Sequence, residues 1–131
     1  MSYQINARLE AAKNSYFRQV LFTGAKSQLV IMSIPPNGEI GAETHAHVEQ
    51  TLLIESGTGK VVLDGLEKAI GPGDVVVVTP GTNHNFTNTG AVDMKIITVY
   101  APANHLDGRV HKTKAEADAD VEDETFGESQ K

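Results

Sequence analysis

Apolar and polar positions alternate in short runs along most of the chain, and glycine- and proline-rich punctuation separates the runs. The runs predict β-strands at Phe17–Phe22, Gln28–Ile34, Glu43–His47, Thr51–Glu55, Lys60–Asp64, Val75–Thr79, His84–Asn88 and Met94–Ala101. Between them stand Thr23-Gly24, Pro35-Pro36-Asn37-Gly38, Gly57-Thr58-Gly59, Asp64-Gly65, Gly71-Pro72-Gly73, Pro80-Gly81 and Thr89-Gly90. Asp64-Gly65 is a hairpin signal, because the tightest two-residue loop needs positive φ at both positions. Short strands at near-regular spacing with such turns predict an all-β sandwich or barrel.

The two ends break this pattern. Residues 6–13, NARLEAAK, predict a short helix capped by Asn6, with Leu9 and Ala12 on one side. Thr113-Lys114-Ala115-Glu116 reads as a capping box that opens a helix through about Val121. Acidic residues fall early in that helix, where the backbone dipole favours negative charge. Residues 122–131 are too polar to bury anything and read as a disordered acidic tail. The expected organisation is one domain over residues 1–121 followed by this tail.

Composition narrows the picture. A chain of 131 residues is long enough for one domain, and aromatics at 5% with no Trp leave the core to aliphatic side chains. The absence of Cys excludes disulfides, thiolate nucleophiles and zinc–thiolate sites. The opening residues MSYQINARLE carry no apolar leader, and no apolar run reaches the ~18 residues of a membrane span. The expectation is a cytoplasmic protein with no membrane contact. Residues 1–114 hold ten Lys/Arg and ten Asp/Glu, so the net charge of −6 belongs to residues 115–131 and says little about a working surface. No basic stripe with interleaved aromatics occurs, which argues against a nucleic-acid partner.

The histidines carry the candidate chemistry. In an extended segment, period-two alternation puts His45 and His47 on one face, with Glu43 in the same phase. His84, Phe86 and Asn88 form a second in-phase set on a later strand. If the two strands face each other across the interior, His84 brings a third imidazole to one point, where neutral nitrogens hold a divalent metal. A fourth ligand should follow on the next strand, from Glu49 or Gln50. An inward Gln50 carries Leu52 and Ile54 with it, whereas an inward Glu49 would drag Glu55 into the core unpaired, so packing favours Gln50. Charge pulls the other way, because a carboxylate neutralises a cation and an amide does not. Gln50 is therefore placed at or beside the metal, with Glu43 or Glu49 as the possible carboxylate ligand. His105 and His111 follow the last strand and are expected in solvent.

These residues resemble the motifs of the cupin family. Gly38-Glu39-Ile40-Gly41 leads to His45-Ala46-His47, then Gln50 and Gly57, similar to the first cupin motif. Gly73, Pro80, Gly81, His84 and Asn88 follow the second, with Pro80 displaced by one place. The resemblance covers about residues 28–101, and the flanking segments are similar to small single-domain cupins of the mannose-6-phosphate isomerase-like group. It implies a double-stranded β-helix, or jelly-roll barrel, that forms a homodimer and holds one divalent ion: Mn, Fe, Ni or Zn. By that resemblance His45, His47 and His84 are metal ligands. Gln50 stands where the family has Glu, one residue closer to the histidine pair than usual.

The chemistry that follows is Lewis-acid catalysis of the isomerase or epimerase type on a small oxygen-rich metabolite such as a sugar or hydroxy-keto acid, with Glu43 as the catalytic base. Two other readings remain: an iron-dependent dioxygenase, and a non-catalytic module that binds a small ligand. Phosphate recognition lacks a Gly-rich loop with Lys, and the inward strands carry almost no Lys or Arg. Nothing in the pattern places Arg18 or Arg109 at the barrel mouth.

Overall fold

Strand β3 (Glu49–Ser56) shows how alternation builds the interior: Gln50, Leu52 and Ile54 are buried, while Glu49 faces solvent. The computed structural model describes residues 1–130. Five more strands extend the sheet to which β3 belongs: β1 (Arg18–Thr23), β2 (Gln28–Ile34), β6 (Val75–Val78), β8 (Met94–Ala101) and β9 (Val110–His111). Their order is β6-β3-β8-β2-β1-β9, with antiparallel neighbours throughout. A second sheet of three strands runs β5 (Leu66–Ile70), β4 (Gly59–Leu63) and β7 (His84–Asn88). The two sheets enclose Val30, Met32, Ile34, Leu52, Ile54, Val61, Phe86, Met94 and Ile96 in one aliphatic core. This is the all-β sandwich or barrel the alternation predicts, in the jelly-roll form the family resemblance implies.

The β4–β5 hairpin turns at Asp64-Gly65, with φ of 47° and 85°, the double positive φ expected of this pair. Strand β5 itself left no trace in the pattern because Leu66–Ala69 are exposed and bury no face.

The predicted strand Glu43–His47 is replaced by a broken edge. Ile40 N–H donates to the Phe86 carbonyl, and Glu43 exchanges both backbone bonds with His84. Two residues, Gly41 and Ala42, thus lie opposite one, Asn85. The extra residue is a bulge. Gly41 takes φ +110°, and its N–H donates to the Asn85 side-chain oxygen at 2.9 Å. Beyond the Glu43–His84 bridge the ladder stops.

At the N-terminus, α1 (Ala7–Lys13) is capped by Asn6, whose oxygen accepts from Leu9 N–H. Its buried residue is Ala11, not the Leu9 and Ala12 stripe expected, and Leu9 is 60% exposed. At the other end Thr113 caps α2 (Lys114–Ala119) by accepting from Glu116 N–H, as the capping box requires. The tail departs from expectation. Asp120 ends α2 and opens α3 (Val121–Glu128) by accepting from Asp123 N–H, and Glu122, Asp123 and Glu124 fill the helix's first turn. Residues read as a solvated tail therefore form a docked helix, anchored by the buried Asp123. Of that predicted tail, residue 131 lies outside the described residues.

Candidate metal centre

The bulge at Gly41 decides which side chains meet. Because Glu43 and His84 are a directly opposed, doubly hydrogen-bonded pair, their side chains leave the same face of the sheet. His45 lies two residues on, and its carbonyl accepts from Gly81 N–H, which holds the chain close to the β6–β7 turn. Glu43, His45 and His84 consequently present one nitrogen or oxygen each, all within 4.8 Å of one another. The Nε2 of His45 is 3.4 Å from Glu43 Oε2, and the two imidazole centroids are 5.3 Å apart.

Hydrogen bonding and burial prepare these groups as ligands. The His84 Nδ1 lies 2.9 Å from the Thr82 carbonyl, which can only accept, so Nδ1 carries the proton and Nε2 keeps its lone pair. Desolvation holds the His45 imidazole below its ordinary pKa; Glu43 opposes that effect, and the charges of His84 and Arg18 reinforce it. Near neutral pH His45 is therefore an uncharged nitrogen donor. Two imidazoles and one carboxylate converging from a bulged edge and β7 form a donor set that suits a divalent transition metal.

His47 does not join this set. The ladder ends before it, the chain bends at Ala46 and His47, and the side chain is exposed at the cavity rim. It lines the same cavity as His45 but stands outside the group of three. Gln50 points inward, in the phase that packing required, and its Nε2 donates to Thr98 Oγ1 at 3.1 Å. Glu49 faces solvent.

A cavity of about 800 Å³ opens on the group, lined by Glu43, His45 and His47 and walled on its far side by Asn104, His105 and residues of α2 and α3. The tail is thus part of the site, contrary to the expectation that its acidity says little about the working surface. His105 and His111, expected in solvent, are buried at 6% and 3% exposure. Their burial is possible because the tail supplies partners. His105 Nδ1 lies 2.7 Å from Asp123 Oδ2, and His111 Nε2 lies 2.8 Å from Asp120 Oδ2. Gln28 clamps the loop below, accepting from the Asn104 and His105 N–H groups and donating to the His105 carbonyl. Burial pushes the His105 pKa down to about 4, so the ring is neutral and donates its Nδ1 proton to Asp123. Tyr100, whose ring stands edge-on to both His45 and His105, is raised to about 12 by burial.

The cupin domain family model matches residues 30–100, more than half of the chain and the span that carries the bulged edge, β3 and β7. The chain belongs to the cupin family. This cupin is 37% identical over 121 residues to the uncharacterized protein YrkC of Bacillus subtilis; the match covers 88% of this chain, which spans 65% of that relative's length. A crystal structure from Bacillus halodurans aligns with a TM-score of 0.89 at 34% identity, over 91% of this cupin and 95% of that chain. A predicted oxalate decarboxylase from Thermotoga maritima aligns with a TM-score of 0.56 at 26% identity, over 58% of this cupin and 66% of that chain. Among the described residues no helix is long and apolar enough to cross a membrane.

Proposed function

We propose that this cupin holds a divalent metal, Mn, Fe, Ni or Zn, with His45 and His84, keeps Glu43 beside it as the base, and acts on a small oxygen-rich metabolite through isomerase- or epimerase-type chemistry. The observation that supports it is the convergence of three donor atoms within 4.8 Å, two of whose residues, Glu43 and His45, line a cavity large enough for a small molecule. When bound, such an ion supplies Lewis acidity toward a carbonyl or hydroxyl oxygen. The chain's own part is to keep His84 in one tautomer through Thr82, to keep His45 neutral by burial, and to set Glu43 where its carboxylate can take a proton from a ligand in the cavity. The likeness to a predicted oxalate decarboxylase supports a small, oxygen-rich ligand.

The donor set favours one other reading. Two histidines and one carboxylate with open positions are the ligand set of non-haem iron oxygenases, and in that case Glu43 is spent as a ligand rather than a base. Glu43→Gln separates the two. Elemental analysis of protein purified without added metal or chelator is expected to show a stoichiometric divalent ion. Under the isomerase reading Glu43→Gln keeps that ion and loses anaerobic turnover. Loss of the ion, with oxygen uptake by the iron-loaded wild type, would favour the oxygenase. No bound transition metal in the wild type would overturn both.

The homodimer implied by the family resemblance is a proposal of the same kind. Val75 and Val77 on β6 and Val99 on β8 are exposed on the two strands that flank β3 in the large sheet, a face a second copy would cover; a monomeric mass by light scattering would exclude it.

A further inference from the structure

Arg18 opens β1 and packs inward at 7% exposure, in the wall of the cavity that Glu43 and His45 also line. Its guanidinium carbon lies 5.1 Å from the Phe17 ring centroid, a contact that cushions a cation without neutralising it. Among the described residues it makes no salt bridge, and its Nε is buried with no hydrogen-bond partner. The neighbouring carboxylates are engaged elsewhere: Asp123 accepts from Leu106 N–H and pairs with His105, and Glu43 lies against His45. The Tyr100 hydroxyl meets part of Arg18's hydrogen bonding but no carboxylate neutralises it, and a buried cation without a counter-charge is a cost that a fold keeps only where something completes it. A second incomplete group lies in the same wall. Asn104 is 5% exposed, and its Oδ1 is a buried acceptor with no donor. The Asn104 oxygen is closed off against Gly127 of α3, so Arg18 is the group that a ligand in the cavity can complete, by supplying an anion.

We propose that the cavity binds a small hydroxy acid, its carboxylate paired with Arg18. The planar guanidinium matches a two-oxygen carboxylate in a fork-to-fork pair. A phosphate dianion is disfavoured, because the wall carries two cations, Arg18 and Lys114, against five carboxylates. The inference rests on the reading of this cavity as the substrate site and names the substrate class. It does not require a particular metal.

The test is thermal shift and calorimetry on the purified full chain with glycolate, lactate, glycerate and gluconate. The neutral polyols glycerol and glucitol and inorganic phosphate are run beside them. At least one acid is expected to raise the wild-type melting temperature and to bind about tenfold or more tighter than its matched polyol, roughly the worth of a charge-assisted pair. Arg18→Gln should erase that preference. Arg18→Lys should keep part of it, because charge remains and the fork is lost. If none of the acids acts on the wild type, or acid and polyol bind alike, the proposal is overturned. Stronger binding of phosphate than of any acid overturns it too. Should Arg18→Gln fail to fold, the acid-against-polyol contrast in the wild type and the Arg18→Lys series still decide. Metal content of the same samples separates the two failures. Acid preference in protein without a bound metal refutes the proposed function and spares the Arg18 pairing, whereas a metal-replete protein without acid preference refutes the pairing alone.

Discussion

Two clusters of histidines and carboxylates stand on either side of this cavity, and their residue types are nearly the same. One joins Glu43, His45 and His84; the other joins His111, Asp120 and Asp123, with His105 beside it. What separates them is where the lone pairs go. In the first, Thr82 takes the far nitrogen of His84, and the converging atoms have only one another at 3.4 Å or more. In the second, short bonds consume the acceptors. Asp123 receives His105 Nδ1–H and Leu106 N–H, while Asp120 receives the Asp123 N–H and pairs with His111 and Arg109. A cluster whose members satisfy each other is a clamp, and one whose members leave donors open to a cavity is a site.

The sharpest way to break this comparison is to remove one histidine from each cluster. His84→Ala is expected to reduce bound metal from stoichiometric to background by elemental analysis, and His45→Ala to do the same. His111→Ala should leave metal content unchanged while lowering stability, since it strands Asp120. Metal retained in His84→Ala, or lost in His111→Ala, would reverse the assignment of the two clusters.

A smaller effect falls on the clamp. Asp123→Ala deletes two short hydrogen bonds to an ionised, buried carboxylate and leaves the His105 and Leu106 donors unsatisfied, at a cost of about 3 kcal/mol. Urea unfolding would measure it, with bound metal expected to persist. The same pair sets an acid limit. His105 is held near 4 in the folded chain, below the histidine reference of 6.5, so the unfolded chain binds more protons between these values. For Asp123, burial acts to raise the carboxyl, but the hydrogen bond from His105 and the bond from Leu106 N–H outweigh it and hold the group below its ordinary value. The His105 contribution to stability is therefore full above about pH 6.5 and falls away toward pH 4, and Asp123 extends the loss to lower pH. His105→Gln should flatten the upper part of that profile; an unchanged profile would show that His105 does not titrate with folding.

How far the residues announce this arrangement depends on the distance over which they act. Strands β2, β7 and β8 are legible to the residue, because β7 and β8 alternate with their own burial and β2 is a short, largely apolar run buried at almost every position. Gln50 is placed inward by the same logic, and Glu43 shares the face of His45 as phase-counting suggests. His47 stands exposed outside the group of three, where the ladder has stopped and the chain bends; the bulge at Gly41–Ala42 and the hold on His45 are set by Asn85 and Gly81, partners some 40 residues away. The tail is misread for a similar reason. Acidic composition reads as solvation, yet Asp120 and Asp123 are buried or half-buried against imidazoles that alternation cannot locate. Arg18 differs, since its polar character at a strand start hides an inward direction that it shares, two residues apart, with the buried Val20.

The gentlest test asks whether α3 is docked as tightly as the clamp implies. Gly127 faces Asn104 so closely that an added Cβ would sit 2.7 Å from the Asn104 carbonyl oxygen and 2.8 Å from its Oδ1. The first of these is backbone held by the Gln28 clamp and has little room to yield. In an isolated helix Gly127→Ala would gain up to about 1 kcal/mol from propensity. In the docked helix the clash should reverse that sign, at a net cost of about 1 kcal/mol, and push α3 off the cavity wall. Limited proteolysis within residues 121–130 should accelerate in the variant while metal content holds. A stabilised Gly127→Ala would mean that α3 rests loosely on the barrel, and that the cavity's far wall is set by β1 and the Asn104–His105 loop alone.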